Sequence, residues 1–133
     1  MSRITRKTFI LLAAMVAVVA MLGGTLGMAV AGTQSLSSGF NLVGGPTGGD
    51  VAPGTYISCV PATSWSAVYI WDAPNQHWLH FFNTGGNTNV PGFVNAPANG
   101  GINVIPRFSG VAIIATAAVP NAKLLDSNGA TCS

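Results

Sequence analysis

The sequence predicts an all-β fold, a small sandwich or barrel of short antiparallel strands preceded by an apolar N-terminal export helix. Glycine and proline supply 17 and 8 of the 133 residues, so turn formers interrupt the chain at short intervals. The runs between the turns are short and rich in β-branched and aromatic residues, which favours strands. No strong amphipathic helical pattern occurs beyond residue 31. Many short strands separated by regular turns are typical of sandwiches and small barrels.

The N-terminus has the pattern of a signal peptide over residues 1–31. A basic start in residues 2–7 precedes an uninterrupted apolar run in residues 9–22, and a small-x-small tripeptide ends at Ala31. Residues 9–31 carry no charge and are long enough to cross a bilayer, so an uncleaved membrane anchor stays open as an alternative. Either way, the sequence predicts that residues 32–133, termed the body, are secreted or displayed on the extracytoplasmic cell surface. No other membrane contact is expected.

The charge distribution does not favour binding to nucleic acid or to an anionic membrane surface. The formal net charge is +2, but three of the five cations lie within the first seven residues. The remaining charges are two cations and three carboxylates, a sum of −1: Asp50, Asp72, Arg107, Lys123 and Asp126. A chain that binds phosphate backbones needs a basic patch, and this body has none in its sequence.

The first part of the body predicts a linker, a strand and one ambiguous segment. Residues 32–38 are small and polar, which predicts a linker to a β-domain that occupies residues 39–133. Residues 40–43 predict a strand, and the glycine-rich residues 44–50 predict a turn. That turn lacks the Gly-Lys-Ser/Thr ending of a phosphate-binding loop. Residues 56–60 fit either a strand or a short helical turn.

A β-hairpin is predicted over residues 67–82. Two β-rich runs flank the turn-forming insert Asp-Ala-Pro-Asn-Gln. If Asp72 lies opposite His77, the side chains separate onto two faces, as expected for a ribbon that buries one of them. The aliphatic face contains Val68, Ile70, Leu79 and Phe81, and the aromatic face contains Tyr69, Trp71, Trp78 and His80. We expect the aliphatic face to pack against the apolar run at residues 111–119.

Two interpretations of the aromatic face remain open. It is ordinary packing if the polar loop at residues 83–89 or the N-terminal strand covers it. It is a binding platform if it faces solvent, because flat aromatic rings with polar edges suit a sugar ring or another protein. On the second interpretation the candidate ligand-binding residues are Tyr69, Trp71, Trp78 and His80.

The chain after the hairpin predicts short extended pieces and one buried strand. Residues 91–95 predict a brief extended piece, residues 97–101 a turn, and residues 102–105 a strand. Residues 111–119 form the most apolar run of the body and lie between a glycine and a proline, which predicts a buried central strand. Residues 121–125 predict a last edge strand.

The two cysteines predict a disulfide between Cys59 and Cys132. They are an even pair in a chain with an export signal, and disulfides persist in oxidising compartments. The bond closes a loop of more than seventy residues, which corresponds to about 4 kcal/mol in the chain-entropy model.

The titratable residues argue against catalysis and against a metal site. His77 and His80 are three apart and would point to opposite faces of a strand, so they cannot share a metal ion. No cysteine cluster and no glutamate is available as a further ligand, and no cofactor is implied. Asp50, Asp72 and Asp126 each lie in a turn sequence, where aspartate caps the backbone, so a carboxylate pair for glycoside hydrolysis is not expected.

The body contains the short motifs Gly-Phe-Asn-Leu-Val from residue 39, Ala-Val-Tyr-Ile-Trp-Asp from residue 67 and Pro-Gly-Phe-Val-Asn from residue 91. In these motifs it resembles a small β-domain found in secreted and surface proteins of bacteria. That family has a Gly-Trp-Asn-Leu-Val opening, a Val-Tyr/Trp-x-Tyr-Asp hairpin, a Pro-x-Tyr-Val-Asn segment and a Gly-Tyr-Trp-Ile strand near its end. Phe40 stands where the family has Trp, and Val111 and Ala112 stand where it has Tyr-Trp. The family has no established activity, so the resemblance implies an exported β-domain without catalysis and supplies no ligand.

These observations favour an exported, non-catalytic domain that acts in cell-surface binding, attachment or assembly. The expected partner is a cell-surface glycan or another protein, and the low charge is compatible with self-association. The alternative function is a carbohydrate-binding module that uses the aromatic hairpin face. A small hydrolase ranks third.

Overall fold

The computed structural model describes residues 33–85, 89–126 and 131–132, so the predicted signal peptide or anchor lies outside the described residues. The elements in chain order are β1 (Thr33–Leu36), β2 (Gly39–Gly44), the helical turn α1 (Pro53–Tyr56), β3 (Trp65–Asp72), β4 (His77–Phe82), the 3-10 turns Gly92–Asn95 and Pro97–Asn99, β5 (Gly110–Ala115) and β6 (Val119–Lys123). None of the helical segments in the described ranges has the length and apolar character needed to cross a bilayer.

Two antiparallel sheets account for the strands, which confirms the all-β prediction. Four strands form one sheet in the order β2-β5-β3-β4, and β1 pairs with β6 in a separate two-stranded ribbon. β5 has a hydrogen-bonded neighbour on both sides, so the predicted buried central strand is confirmed for Gly110–Ala115. The predicted strand at residues 111–119 nevertheless ends early. The Thr116 N–H donates to Ser64 O at 2.9 Å, and the chain then turns and enters β6 in the other sheet.

The hydrophobic core lies on one face of the four-stranded sheet. Side chains alternate between the faces of a strand, and Val68 and Ile70 of β3 share the core face with Val111 and Ile113 of β5, all nearly without solvent exposure. The ribbon, α1 and the segment before β5 close the core from the other side, with Leu36, Tyr56, Ile102, Ile105 and Ala122. The aliphatic hairpin face does point into this core. The aliphatic hairpin face was expected to pack against the strand that is now β5. Instead, β5 is hydrogen-bonded to β3 of the hairpin within the same sheet.

Tyr56 is the largest fully buried side chain and joins three parts of the fold. Its hydroxyl donates a hydrogen bond to the carbonyl of Gly44 at the end of β2. Its own carbonyl accepts from the Leu125 N–H at 2.9 Å, beyond β6. Burial disfavours the charged phenolate and raises the pKa of Tyr56 far above its ordinary value of 10.0. This group therefore stays protonated in the folded state at pH values where it ionises in the unfolded chain.

Tyr56→Phe is expected to lower the free energy of unfolding at neutral pH. It is also expected to make that free energy less dependent on pH in the alkaline range. The variant loses one buried hydrogen bond and leaves the Gly44 carbonyl without that donor, at a cost of about 1–2 kcal/mol. Above pH 10 the unfolded chain releases the Tyr56 proton and the native state keeps it, so the wild-type free energy of unfolding falls by up to about 1.4 kcal/mol per pH unit. Urea unfolding from pH 7 to pH 11.5 measures both effects. Parallel pH curves for the two proteins would contradict this account.

The predicted disulfide is present between Cys59 and Cys132. Cys59 follows α1, and the two cysteines are separated by 73 positions with their Cα atoms 5.1 Å apart. The bond fastens the C-terminal end of the described chain to the segment that closes the core.

Three other segments also differ from the sequence prediction. The stretch predicted as a linker contains β1, because Leu36 is buried and the Ser35 hydroxyl donates to Pro120 O in β6 at 2.7 Å. The piece predicted as extended forms the 3-10 turn Gly92–Asn95. The strand predicted at residues 102–105 is replaced by two isolated bridges, His80 to Gly101 and Val51 to Ile105. The two bridges join different parts of the fold, so no continuous ladder forms between them.

Candidate binding surface

The hairpin has the register predicted from its sequence. Asp72 pairs with His77 across a four-residue loop, and the pairs Trp71 with Trp78 and Tyr69 with His80 follow along the strands. An Asp72 carboxylate oxygen accepts from the Asn75 side-chain amide at 2.8 Å and lies 3.6 Å from His77 Nε2. These contacts tie the two ends of the loop, and the aromatic side chains consequently fall on one face.

The face of the four-stranded sheet opposite the core is termed the outer face. The register across the sheet places on it side chains of all four strands, namely Phe40 and Leu42 of β2, Ala112 and Ile114 of β5, Ala67, Tyr69 and Trp71 of β3, and Trp78, His80 and Phe82 of β4. Apart from His80, the tyrosine hydroxyl and the indole N–H groups of the two tryptophans, these side chains are apolar. The outer face therefore carries an apolar and aromatic surface that spans the width of the sheet.

The outer face points toward solvent in the part of the chain that the structure describes. Trp71 and Trp78 are 45% and 53% exposed, and Phe40 and Leu42 are 66% and 70% exposed. Neither β1 nor the described residues of the loop after the hairpin cover them. Of the two interpretations left open by the sequence, this exposure matches the one in which the aromatic residues face outward.

A shallow depression occupies the middle of the outer face. Its volume is about 260 Å³, and it is lined by Phe40, Tyr69, Trp78 and Ala112. Ala112 lies on the central strand and is 2% exposed, so its small side chain forms the floor between larger side chains on the neighbouring strands. The lining is almost wholly apolar, which suits burial of an apolar group and offers few hydrogen-bond partners to a ligand.

The two exposed tryptophans do not form a flat platform. The Trp71 and Trp78 ring centroids are 5.3 Å apart with an interplanar angle of 64°, an edge-to-face contact. Tyr69 contacts Phe82 at 88°, also edge to face. A sugar ring that stacks on one of these rings therefore does not meet a second ring in the same plane.

His80, which the sequence groups with the aromatic residues, holds a neighbouring segment in place. Its Nε2 atom lies 3.0 Å from Val94 O and donates to it, because a carbonyl oxygen can only accept. Its backbone N–H donates to Gly100 O at 3.0 Å, and its carbonyl accepts from the Ile102 N–H at 2.8 Å. The ring is half-buried against Phe82, with centroids 4.6 Å apart. His80 therefore bounds the outer face, whereas Tyr69, Trp71 and Trp78 form part of its surface.

Sequence reasoning missed Phe40, Leu42 and Asn95. Phe40 and Leu42 lie two residues apart in a short strand, so the period of two could have placed them on one face. Asn95 forms a pair of bonds with the backbone of Phe82: its Oδ1 accepts from the Phe82 N–H at 2.7 Å and its Nδ2 donates to the Phe82 carbonyl at 2.8 Å. No local sequence pattern indicates this long-range contact.

The three carboxylates of the described residues bond to turns. Asp50 accepts from the Arg107 N–H at 2.8 Å, and Asp126 accepts from the N–H groups of Thr47 and Gly48. Asp72 bonds within its own turn, to the Asn75 side chain, whereas Asp50 and Asp126 accept from backbone N–H groups of turns that are distant in the sequence. The expected capping by each carboxylate of its own local turn is therefore not what the structure has. His77 and His80 lie on opposite faces of β4, and no group of three or more metal-ligating side chains occurs in the ranges described.

Comparison of the chain with protein-family models, with curated proteins and with solved structures finds no match.

Proposed function

We propose that this chain is an exported, non-catalytic binding domain whose outer face binds another protein during attachment or assembly at the cell surface. One observation carries the proposal: four large apolar side chains are exposed together on one face of a regular sheet. Single exposed apolar residues are normal on a protein surface, whereas a contiguous exposed apolar patch marks an interaction site. The partner is expected to be a protein, for the reasons that follow.

The chemistry of the outer face favours a protein partner of apolar and uncharged character. The strands of the four-stranded sheet contribute Asp72 and two histidines as their titratable side chains besides Tyr69, and Asp72 lies at the hairpin tip. Each Å² of aromatic or aliphatic surface that binding removes from contact with water contributes roughly 25 cal/mol of favourable free energy. Exposed Trp and Tyr side chains are also the residue types that dominate protein–protein binding energies.

The disulfide is compatible with an extracytoplasmic location. Disulfides persist in secreted and surface proteins and are rare in reducing compartments. The signal peptide or anchor predicted at residues 1–31 would export the body to such a compartment.

Carbohydrate binding is the second candidate, favoured by the aromatic lining of the depression at Tyr69 and Trp78. Sugar sites combine an aromatic stacking surface with polar groups that bind hydroxyls. Here the lining is almost wholly apolar, and the Trp71–Trp78 pair is not coplanar. These two observations rank a glycan below a protein partner.

Trp78→Ala is expected to weaken binding to the envelope fraction of the producing cells by about thirtyfold or more. The side chain is half-exposed on the outer face and contributes little to the core, and truncation of a central interface tryptophan costs about 2 kcal/mol or more. Co-sedimentation of the purified protein with the envelope fraction measures the affinity. Phe108→Ala is the matched control, because Phe108 is 66% exposed but lies in the turn before β5.

The nature of the partner follows from treating the envelope fraction before binding. Protease treatment is expected to abolish binding, and enzymes that degrade glycans are expected to leave it unchanged. Binding that survives protease and disappears with the glycans would establish the carbohydrate function instead. Equal affinity of the wild type and Trp78→Ala would contradict a role for the outer face in binding either a protein or a glycan.

A further inference from the structure

The chain itself closes the β4 edge of the four-stranded sheet at His80 and Phe82. Just after β4, the Asn83 N–H donates to Ser66 O of β3, so the backbone groups of Phe82 and His80 point the other way, out of the sheet. Asn95 satisfies both outward groups of Phe82. Gly100 O and the Ile102 N–H satisfy both outward groups of His80. Another strand therefore cannot add to this edge at these residues.

At the opposite edge, β2, such protection among the described residues is confined to Gly44, whose carbonyl accepts from the Tyr56 hydroxyl. The Gly45 N–H donates to Ser109 O at 2.7 Å next to the β2–β5 ladder, so by alternation Asn41 and Val43 turn their backbone groups toward β5. Phe40 and Leu42 then direct their N–H and C=O groups outward. Within the described ranges, no other protein group bonds to them.

The sequence of β2 also lacks the features that normally block an edge. Gly39–Gly44 contains no charged residue and no proline, and its register with β5 runs over six consecutive pairs without a bulge. The Phe40 and Leu42 side chains beside the open edge are both about two-thirds exposed. An open, regular, apolar edge is a template for pairing with another strand.

We propose that β2 pairs antiparallel with β2 of a second copy of this chain, about a two-fold axis through Asn41. The inference deepens the proposed assembly role, on which it rests, by naming the partner. In this register Phe40 of each copy lies opposite Leu42 of the other. The outward N–H and C=O groups of these residues form four backbone hydrogen bonds, and two sheets of four strands become one of eight.

The local contacts of β2 favour a second copy as the occupant. The register is self-complementary, because Phe40 and Leu42 supply the backbone donors and acceptors on both sides. The Phe40 side chain of each copy then packs against the Leu42 side chain of the other. No charge in β2 opposes it. Asn41 faces the core side, where its amide bonds to Ser37 O and Gly39 O of its own chain at 2.7 and 3.0 Å. The Asn41 side chain at the two-fold axis is therefore already hydrogen-bonded within its own copy.

Leu42→Pro tests the pairing directly in protein purified after expression of the full chain. Proline removes the outward N–H of residue 42, and the hydrogen bonds to β5 stay, because that N–H does not point toward β5. Each dimer loses two of its four bonds, so the dissociation constant is expected to rise by about thirtyfold or more. Sedimentation velocity over a concentration series measures it.

A charge-swap pair keeps the test decisive if Leu42→Pro fails to fold. The double variant Phe40→Lys/Leu42→Lys and the double variant Phe40→Glu/Leu42→Glu are each expected to be monomeric. An equimolar mixture is expected to form a heterodimer, since opposite charges then meet in the proposed register. A mixture that stays monomeric would overturn the register.

Trp78→Lys separates this proposal from the proposed function. It changes the outer face at the far strand of the sheet and leaves β2 intact, so the dimer is expected to persist. A dimer that dissociates with Trp78→Lys but resists Leu42→Pro associates face to face, which overturns the edge pairing and leaves the outer face as a binding surface. A wild type that stays monomeric throughout the concentration series overturns the edge pairing, and the envelope-binding experiment still decides the proposed function.

Discussion

Replacing Cys59 and Cys132 together by serine is expected to lower the free energy of unfolding by about 4 kcal/mol. The bond closes a loop across 73 sequence positions, and its loss releases that much conformational entropy to the unfolded chain. A domain of this size has a net stability of only about 5–15 kcal/mol, so the disulfide supplies a large share of it. Urea unfolding of wild type and variant, with Tm as a second measure, gives the difference.

Two controls identify the loss as an effect of the bond. Wild-type protein unfolded in the presence of a reductant is expected to match the double variant, because both have the same unconstrained unfolded state. Ser58→Ala, next to Cys59 at an exposed position, is expected to change stability by less than about 0.5 kcal/mol. A difference below 1 kcal/mol between the oxidised wild type and the double variant would contradict the assignment of the bond as a main source of stability.

Ile113→Ala is expected to destabilise the domain by about 2–5 kcal/mol. Ile113 has no solvent exposure and lies at the centre of β5, between Asn41 of β2 and Val68 of β3. Truncation loses the burial of its side chain and leaves a cavity that strands bonded on both sides cannot close. The measurement is again equilibrium unfolding.

Ile114→Ala is the matched control for this prediction, since it is the same substitution one position along the same strand. Ile114 points to the outer face and is partly exposed. Its truncation is expected to cost about 1 kcal/mol or less. Losses of equal size at the two positions would mean that the core is not confined to one face of β5, and the outer face as defined would be wrong.

The hairpin was predictable because its information is local. The turn formers at residues 72–76 fix the position of the loop, and a shift of register by one residue would mix aliphatic and aromatic side chains on both faces. Trp71 opposite Trp78 and Tyr69 opposite His80 follow from the pattern alone. The disulfide was predictable for a simpler reason, because the chain has two cysteines.

The orientation of the aromatic face was not predictable from the hairpin. Both faces are apolar, so the pattern does not say which one the rest of the chain covers. The answer depends on segments far away, since α1 and the β1–β6 ribbon lie over Val68 and Ile70 and leave Trp71 and Trp78 exposed. Phe40 and Leu42 join the same surface only because β2 pairs with β5, a contact between distant parts of the chain.

The segment between the hairpin and β5 was the least predictable part. After Pro91 a 3-10 turn, Gly92–Asn95, forms where an extended piece was expected. The turn predicted at residues 97–101 is present as the 3-10 turn Pro97–Asn99, which ends at Gly100 in a left-handed conformation with φ of 81°. The bonds of Gly100, Ile102 and Asn95 with β4 then decide its path. Such bonds depend on three-dimensional proximity, which neither hydrophobic periodicity nor turn propensity encodes.

The order of the strands in the sheet sets the order in which they can pair while the chain is made. β3 and β4 are joined by four residues and can pair as soon as they are made, whereas β2 must wait for β5, some seventy positions later. Pairings between distant segments slow folding and prolong the exposure of apolar strands. β1 and β2 therefore stay unpaired until the chain has been made as far as β6 and β5, respectively. Cys132 lies beyond both of those strands in the sequence, so its bond to Cys59 closes only after every strand described here has been made.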